Sequence, residues 1–166
     1  MTLPFFVYGT LRPGGRYHDA LLRGRTRAEA PARLAGAVLY EGPGYPFAVR
    51  EPGGVVTGAL ITPLPDAYGE LLADLDRLEE YVPGDARNLY ERVSREVVRD
   101  TDGATLRAWV YVAAPAVEAR LRAGGRIIPG GDWPARDRSR RGPGGVRPLR
   151  PGSPGAAPPP GAPRTP

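Results

Sequence analysis

One segment, "PDAYGELLADLDRLEEY" at residues 65–81, is long and periodic enough to form a helix, and strand-like segments lie on both sides of it. Before it come "LPFFVYG", "ARLAGAVLY" and "GGVVTGALITP", and after it come "ERVSREVVRD" and "TLRAWVYVA". These are short apolar runs, rich in β-branched and aromatic residues and bounded by Gly, Pro or Asp. The last two are separated by "DTDG", whose Asp and Gly tolerate the dihedrals of a hairpin turn. A parallel sheet needs a crossover helix between successive strands, and only one segment can serve, so a βαβ reading is poorly supported. The order predicts an α+β domain whose sheet curls toward a barrel. Within it, "TLRPGGRYHDALLRG" begins as a Gly-Pro loop and finishes as a short helix, and Asp66 after Pro65 is placed to cap the long helix.

The end of that helix carries two adjacent carboxylates, Glu79 and Glu80. With about 100° per residue and Leu75 at the centre of the buried face, Leu71, Leu78, Tyr68 and Leu72 all fall within about 60° of it. If the helix persists, Glu79 falls about 40° from the centre, between Tyr68 and Leu72, and Glu80 about 140° away, toward solvent. A carboxylate turned toward the core must be hydrogen-bonded, paired with a cation or protonated. Such a group can accept and return a proton near neutral pH. The alternative is that the helix frays at Leu78 and Glu79 reaches water or an arginine.

The chain of 166 residues is enough for one domain with a core. Up to Trp133 there are 16 Arg against 17 Asp or Glu, and from Pro134 onward seven Arg against Asp137 alone, so the formal +5 comes from the tail. The 33 residues 134–166 contain ten Pro and six Gly with little apolar material, a composition that does not offset the entropy of ordering. They read as a disordered basic extension beyond a domain at 1–133. No Trp, Tyr or Phe interrupts the tail to stack on bases, so a nucleic-acid partner is the weaker reading. With no Cys there is no thiol catalysis, and a lone His18 excludes a site needing two histidines. The N-terminus lacks the basic and long apolar regions of a signal peptide, and no run has the length of a membrane span, so a cytoplasmic protein is expected. Oligomeric state is not legible.

"VYGTLRPGG" places Gly9 and Thr10 directly after a buried strand, where a sharp turn either exposes N–H groups and a hydroxyl able to hold a small anion such as a carboxylate or is a plain turn with no ligand. It lacks the glycine spacing and the Lys of a phosphate loop. "FVYGTLRPGG" and "LDRLEEYVP", followed in order by "YERV", "AWVYV" and "IIPGGDWP", resemble the γ-glutamylcyclotransferase-like superfamily, which includes the AIG2-like proteins. The resemblance runs over most of residues 3–133. It implies a small mixed β-barrel with flanking helices and a cavity at one end. It also implies that Tyr8, Gly9, Thr10 and Leu11 bind substrate, that Glu79 is the catalytic acid/base, and that Tyr90 and Tyr111 line the cavity. The implied substrate is an L-γ-glutamyl amine or amino acid, converted to 5-oxoproline and a free amine with no metal or organic cofactor. A ligand-binding or interaction protein on the same fold is the alternative. Glu80 stands where the family often has Gly, which bears on the local turn and on substrate choice. Of the remaining polar residues, His18 reads as a surface or capping group, Arg12 as solvated or paired with a substrate carboxylate, and Asp132 with Trp133 as closing the domain.

Overall fold

The computed structural model describes residues 2–133. Its five strands are β1 (Phe5–Val7), β2 (Thr26–Glu41), β3 (Pro46–Pro63), β4 (Tyr90–Arg99) and β5 (Thr105–Ala113), and its α-helices are α1 (His18–Leu21), α2 (Tyr68–Leu78) and α3 (Pro115–Gly124). The strands close into a barrel in the order β1-β3-β2-β4-β5. All pairings are antiparallel except β1 with β5, where Phe5 lies opposite Trp109, so this is the mixed barrel of an α+β domain. The basic tail read at 134–166 lies outside the described residues.

Alternation along the strands divides the core in two. Phe5 and Val7 of β1 join Ile61, Trp109 and Tyr111 on the face covered by α2, whose Leu71, Leu75 and Leu78 are buried there. Phe6 and Tyr8 point the other way, into the cluster with Leu34, Val56, Leu60, Val97 and Val110. The three-residue strand β1 is therefore buried on both sides, which is why its sequence is an unbroken apolar run. Burying a leucine completely, as at Leu71 and Leu75, contributes roughly 1.5–3 kcal/mol for each side chain.

Several sequence expectations shift. Asp66 caps nothing: Pro65–Ala67 form a 3-10 turn, and α2 starts after Ala67 with no side-chain cap. Proline at the first position of that turn fixes the helix entry and leaves the Asp66 side chain exposed. The strand expected from Gly53 begins at Pro46, because residues 51–54 form a bulge opposite Gly36 rather than a loop. A helix not expected from the sequence, α3, follows β5 with Pro115 in its first turn and an Arg122–Glu118 pair one turn apart. The β4–β5 hairpin turns through Asp100–Ala104, with Gly103 at φ +71°.

Candidate functional site

The chain leaves β1 into a turn held by its own backbone: Arg12 N–H donates to Gly9 O at 3.1 Å and Tyr17 N–H to Thr10 O at 2.8 Å. Two glycines permit it. A Cβ at Gly15 would lie 2.5 Å from Thr10 O, and one at Gly9 would press on the Pro46 ring at 3.1 Å. None of the N–H groups of Gly9, Thr10 and Leu11 donates to a backbone carbonyl among the described residues. The Thr10 side chain is buried at this turn.

That turn forms one wall of a partly open cavity of about 40 Å³, room for a few water molecules. Tyr8, Gly9, Thr10 and Leu11 line it together with Glu79, Tyr90 and Tyr111. Phe6 and Val7 of β1 also line it, as do Tyr45 and Pro46 where the chain enters β3; nothing in the local sequence marks the last two, since the fold brings them from a distant hairpin. All seven positions singled out from the sequence therefore border one space.

Glu79 reaches it because the helix geometry continues past Leu78. Its φ −83° and ψ 0° remain in the right-handed region, and its N–H donates to Leu75 O at 3.0 Å. The next residue reverses the chain: Glu80 has φ +53°, the left-handed conformation in which glycine is most at ease. Both carboxylate residues are half-buried, yet they serve different spaces. Glu79 borders the cavity, whereas Glu80 borders a surface groove with Tyr81, Val82, Asp85 and Arg87.

The tyrosine hydroxyls around the cavity are committed to the protein. Tyr8 donates to Tyr111 O and accepts from Ala48 N–H at 3.2 Å, and Tyr90 donates to Pro46 O at 2.8 Å. Tyr111 donates to Asp76 Oδ1 at 2.5 Å. Burial is the main reason that the Tyr8 hydroxyl is pushed well above its ordinary pKa, with the nearby Glu79 carboxylate adding to it and the Ala48 bond opposing. Burial likewise leads for Tyr111, followed by Asp76 and Glu79. Both hydroxyls keep their protons at neutral pH, and Glu79 lines the same cavity as both rings.

Two other polar candidates lie elsewhere. His18 Nε2 is 2.6 Å from Glu29 Oε1 and Nδ1 is 3.2 Å from Asp19 Oδ1, away from the cavity lining. Its burial would lower its pKa, but the two carboxylates outweigh that and raise it. Arg12 is paired with Asp132 at 2.8 Å, which ties the turn to the segment where Trp133 is buried against the barrel interior. Among the described residues, no cluster of His, Asp and Glu is arranged to hold a metal ion, and no helix is long and apolar enough to cross a membrane.

Comparison with known proteins adds an independent line. The family model described as gamma-glutamyl cyclotransferase, AIG2-like, matches residues 5–135. A gamma-L-glutamyl-butirosin B gamma-glutamyl cyclotransferase of Niallia circulans is 37% identical over 108 residues, and the match spans 64% of this chain and 64% of that relative's length. Among solved structures, an Arabidopsis thaliana protein determined in solution aligns with a TM-score of 0.57 and 30% identity, covering 83% of this chain and 76% of that one. The Escherichia coli protein ytfP aligns with a TM-score of 0.53 and 25% identity, covering 81% and 99%.

Proposed function

The chain belongs to the gamma-glutamyl cyclotransferase, AIG2-like family, and on that premise we propose that it converts an L-γ-glutamyl amine or amino acid to 5-oxoproline and the free amine. The observation that carries this reading is that Glu79 and the Tyr8–Leu11 turn border the same cavity.

The reaction needs no nucleophile from the protein. The α-amino nitrogen of the glutamyl group attacks its own γ-carbonyl carbon and closes a five-membered ring; the bond from that carbon to the amine nitrogen then breaks. Because the reacting atoms are tethered, the main task of the protein is to hold the glutamyl chain folded back on itself. The N–H groups of Gly9 to Leu11, none of which donates to a backbone carbonyl among the described residues, and the Thr10 hydroxyl are donors of the kind suited to the substrate α-carboxylate. Glu79 takes the proton released as the attacking nitrogen forms its new bond and delivers it to the departing nitrogen, so the carboxylate is restored after each cycle. Tyr8, Tyr90 and Tyr111 shape the wall with their rings, since their hydroxyl protons are directed at protein acceptors.

Incubation of the wild type and Glu79→Gln with a panel of γ-glutamyl amino acids and γ-glutamyl amines, read by 5-oxoproline release, tests the reading. Loss of a positioned proton carrier is expected to lower turnover by about 10²–10⁴-fold. Equal release by both proteins would remove Glu79 from the reaction.

A further inference from the structure

Glu79 is the last group of its helix before the chain reverses, and a carboxylate at a helix end works as a proton carrier only if that end is fixed. Asp76, one turn earlier, is where the fixing contacts converge. Its Oδ1 accepts from the Tyr111 hydroxyl at 2.5 Å and from Arg92 Nε at 3.0 Å. Tyr111 and Arg92 lie directly opposite each other on β5 and β4, so one carboxylate oxygen receives two side chains from a single cross-strand pair.

The surroundings restrict all three partners. The Arg92 guanidinium lies over the Trp109 ring at 4.5 Å and near the Tyr81 ring at 5.5 Å. Tyr81 meets Tyr111 edge-on at 6.4 Å, and its N–H donates to Asp76 O at 2.8 Å. Trp109 Nε1 in turn donates to the Tyr68 hydroxyl at 3.1 Å, at the start of the same helix. The Asp76 and Arg92 side chains are only 21% and 15% exposed, so solvent does not dilute their pairing as it would on an open surface. Asp76 itself does not border the cavity; Tyr111 and Glu79 do.

We propose that Asp76 is a positioning residue for the reaction: by receiving Tyr111 and Arg92 on one oxygen, it clamps the last turn of α2 to the barrel wall and fixes the Glu79 carboxylate relative to the Tyr8–Leu11 turn. This rests on the reading of Glu79 as the proton carrier. The clamp holds the turn that carries the reacting carboxylate, so its loss is felt at the chemical step rather than in substrate capture. Displacement of a reacting group by about 1 Å can cost about 10²-fold in rate.

The test compares steady-state 5-oxoproline release by wild type, Glu79→Gln, Asp76→Ala, Asp76→Asn, Tyr111→Phe and the Asp76→Ala/Tyr111→Phe double variant, with thermal unfolding of each. Asp76→Ala and Tyr111→Phe are expected to lower kcat about 10–100-fold with KM changed less than about 3-fold. Asp76→Asn keeps an acceptor oxygen for the Tyr111 hydroxyl and is expected to recover most of the lost kcat, although it gives up the ion pair with Arg92. The double variant should be no worse than the poorer single, because both remove the same contact. A general structural defect would make Asp76→Asn and Asp76→Ala fall together with their stability. Tyr111→Phe keeps the ring and the Asp76–Arg92 pair, and carries the test if Asp76→Ala loses its fold. Wild-type kcat in Tyr111→Phe and Asp76→Ala, beside an inactive Glu79→Gln, would overturn the clamp and leave the function reading standing. No release by wild type on any member of the panel, or full activity in Glu79→Gln, would overturn the function reading, and the clamp with it.

Discussion

Along α2, residues 68–75 dock on the barrel mainly by burying apolar side chains, Leu71 and Leu75 completely, whereas the turn from Asp76 to Tyr81 adds to the buried Leu78 a set of polar contacts from Asp76 to β4 and β5. The first kind of contact is non-directional and scales with area. The second fixes angles and distances but has little area. A helix needs the former to stay attached and the latter to present one carboxylate at a defined point, and here burial runs the length of the helix while the polar contacts to β4 and β5 gather at its last turn.

The difference predicts that damage to each half is read by a different instrument. Leu75→Ala removes a fully buried side chain beneath the helix body and is expected to cost about 2–5 kcal/mol of stability by chemical denaturation, the larger values applying if the cavity does not collapse. A cost below 1 kcal/mol would mean that the helix body is not held by burial. Glu80→Gly addresses the reversal after the last turn. Relief of the left-handed conformation, φ +53°, outweighs the added freedom of the unfolded glycine. A gain of about 0.5–1 kcal/mol is expected, and a loss would mean that the Glu80 side chain contributes more than its backbone costs.

A smaller effect should appear in acid. Asp74 bonds Arg25 at 2.7 Å and Arg77 at 2.9 Å, tying the middle of α2 to the chain before β2. Burial would raise its pKa, but the two guanidiniums outweigh it and lower it. The folded state thus binds this proton less readily than the unfolded chain. The stabilisation from Asp74 is present above the ordinary value of 3.8 and is lost as pH falls through the lower folded value. Asp74→Asn should flatten the decline of stability in that window, and an unchanged slope would assign the acid sensitivity to other carboxylates.

How much of this was legible in the sequence follows from the same division. The period of Leu71, Leu75 and Leu78 defines a buried face, and the direction of Glu79 follows from it because the backbone stays right-handed for one residue beyond the helix. Asp76 was invisible to that reasoning: its partners Arg92 and Tyr111 are 16 and 35 residues away, and no local pattern announces a contact between strands and a helix flank. The first half of β3 was hidden for a different reason. Pro46 and Pro52 read as loop punctuation before the strand expected from Gly53, while the bulge at residues 51–54 opposite Gly36 lets one strand run on from Pro46. For α3 the signals were present, with Pro115 at its start and Glu118 one turn before Arg122, but its weak apolar stripe, Val117 and Leu121, did not stand out. Glycine at the position after Glu79, as the family resemblance suggested, has a physical reason in the positive φ at Glu80.

The central claim is that the backbone turn holds the α-carboxylate of the glutamyl group while one carboxylate serves the reacting α-amino nitrogen on the same carbon. A crystal structure of Glu79→Gln with a bound γ-glutamyl amino acid tests it most directly. The account predicts the ligand α-carboxylate on the N–H groups of Gly9 to Leu11, with the side chain at position 79 within hydrogen-bond reach of the α-amino nitrogen. A ligand seated away from that turn, or a residue 79 side chain directed out of the cavity toward the groove beside Glu80, would contradict it.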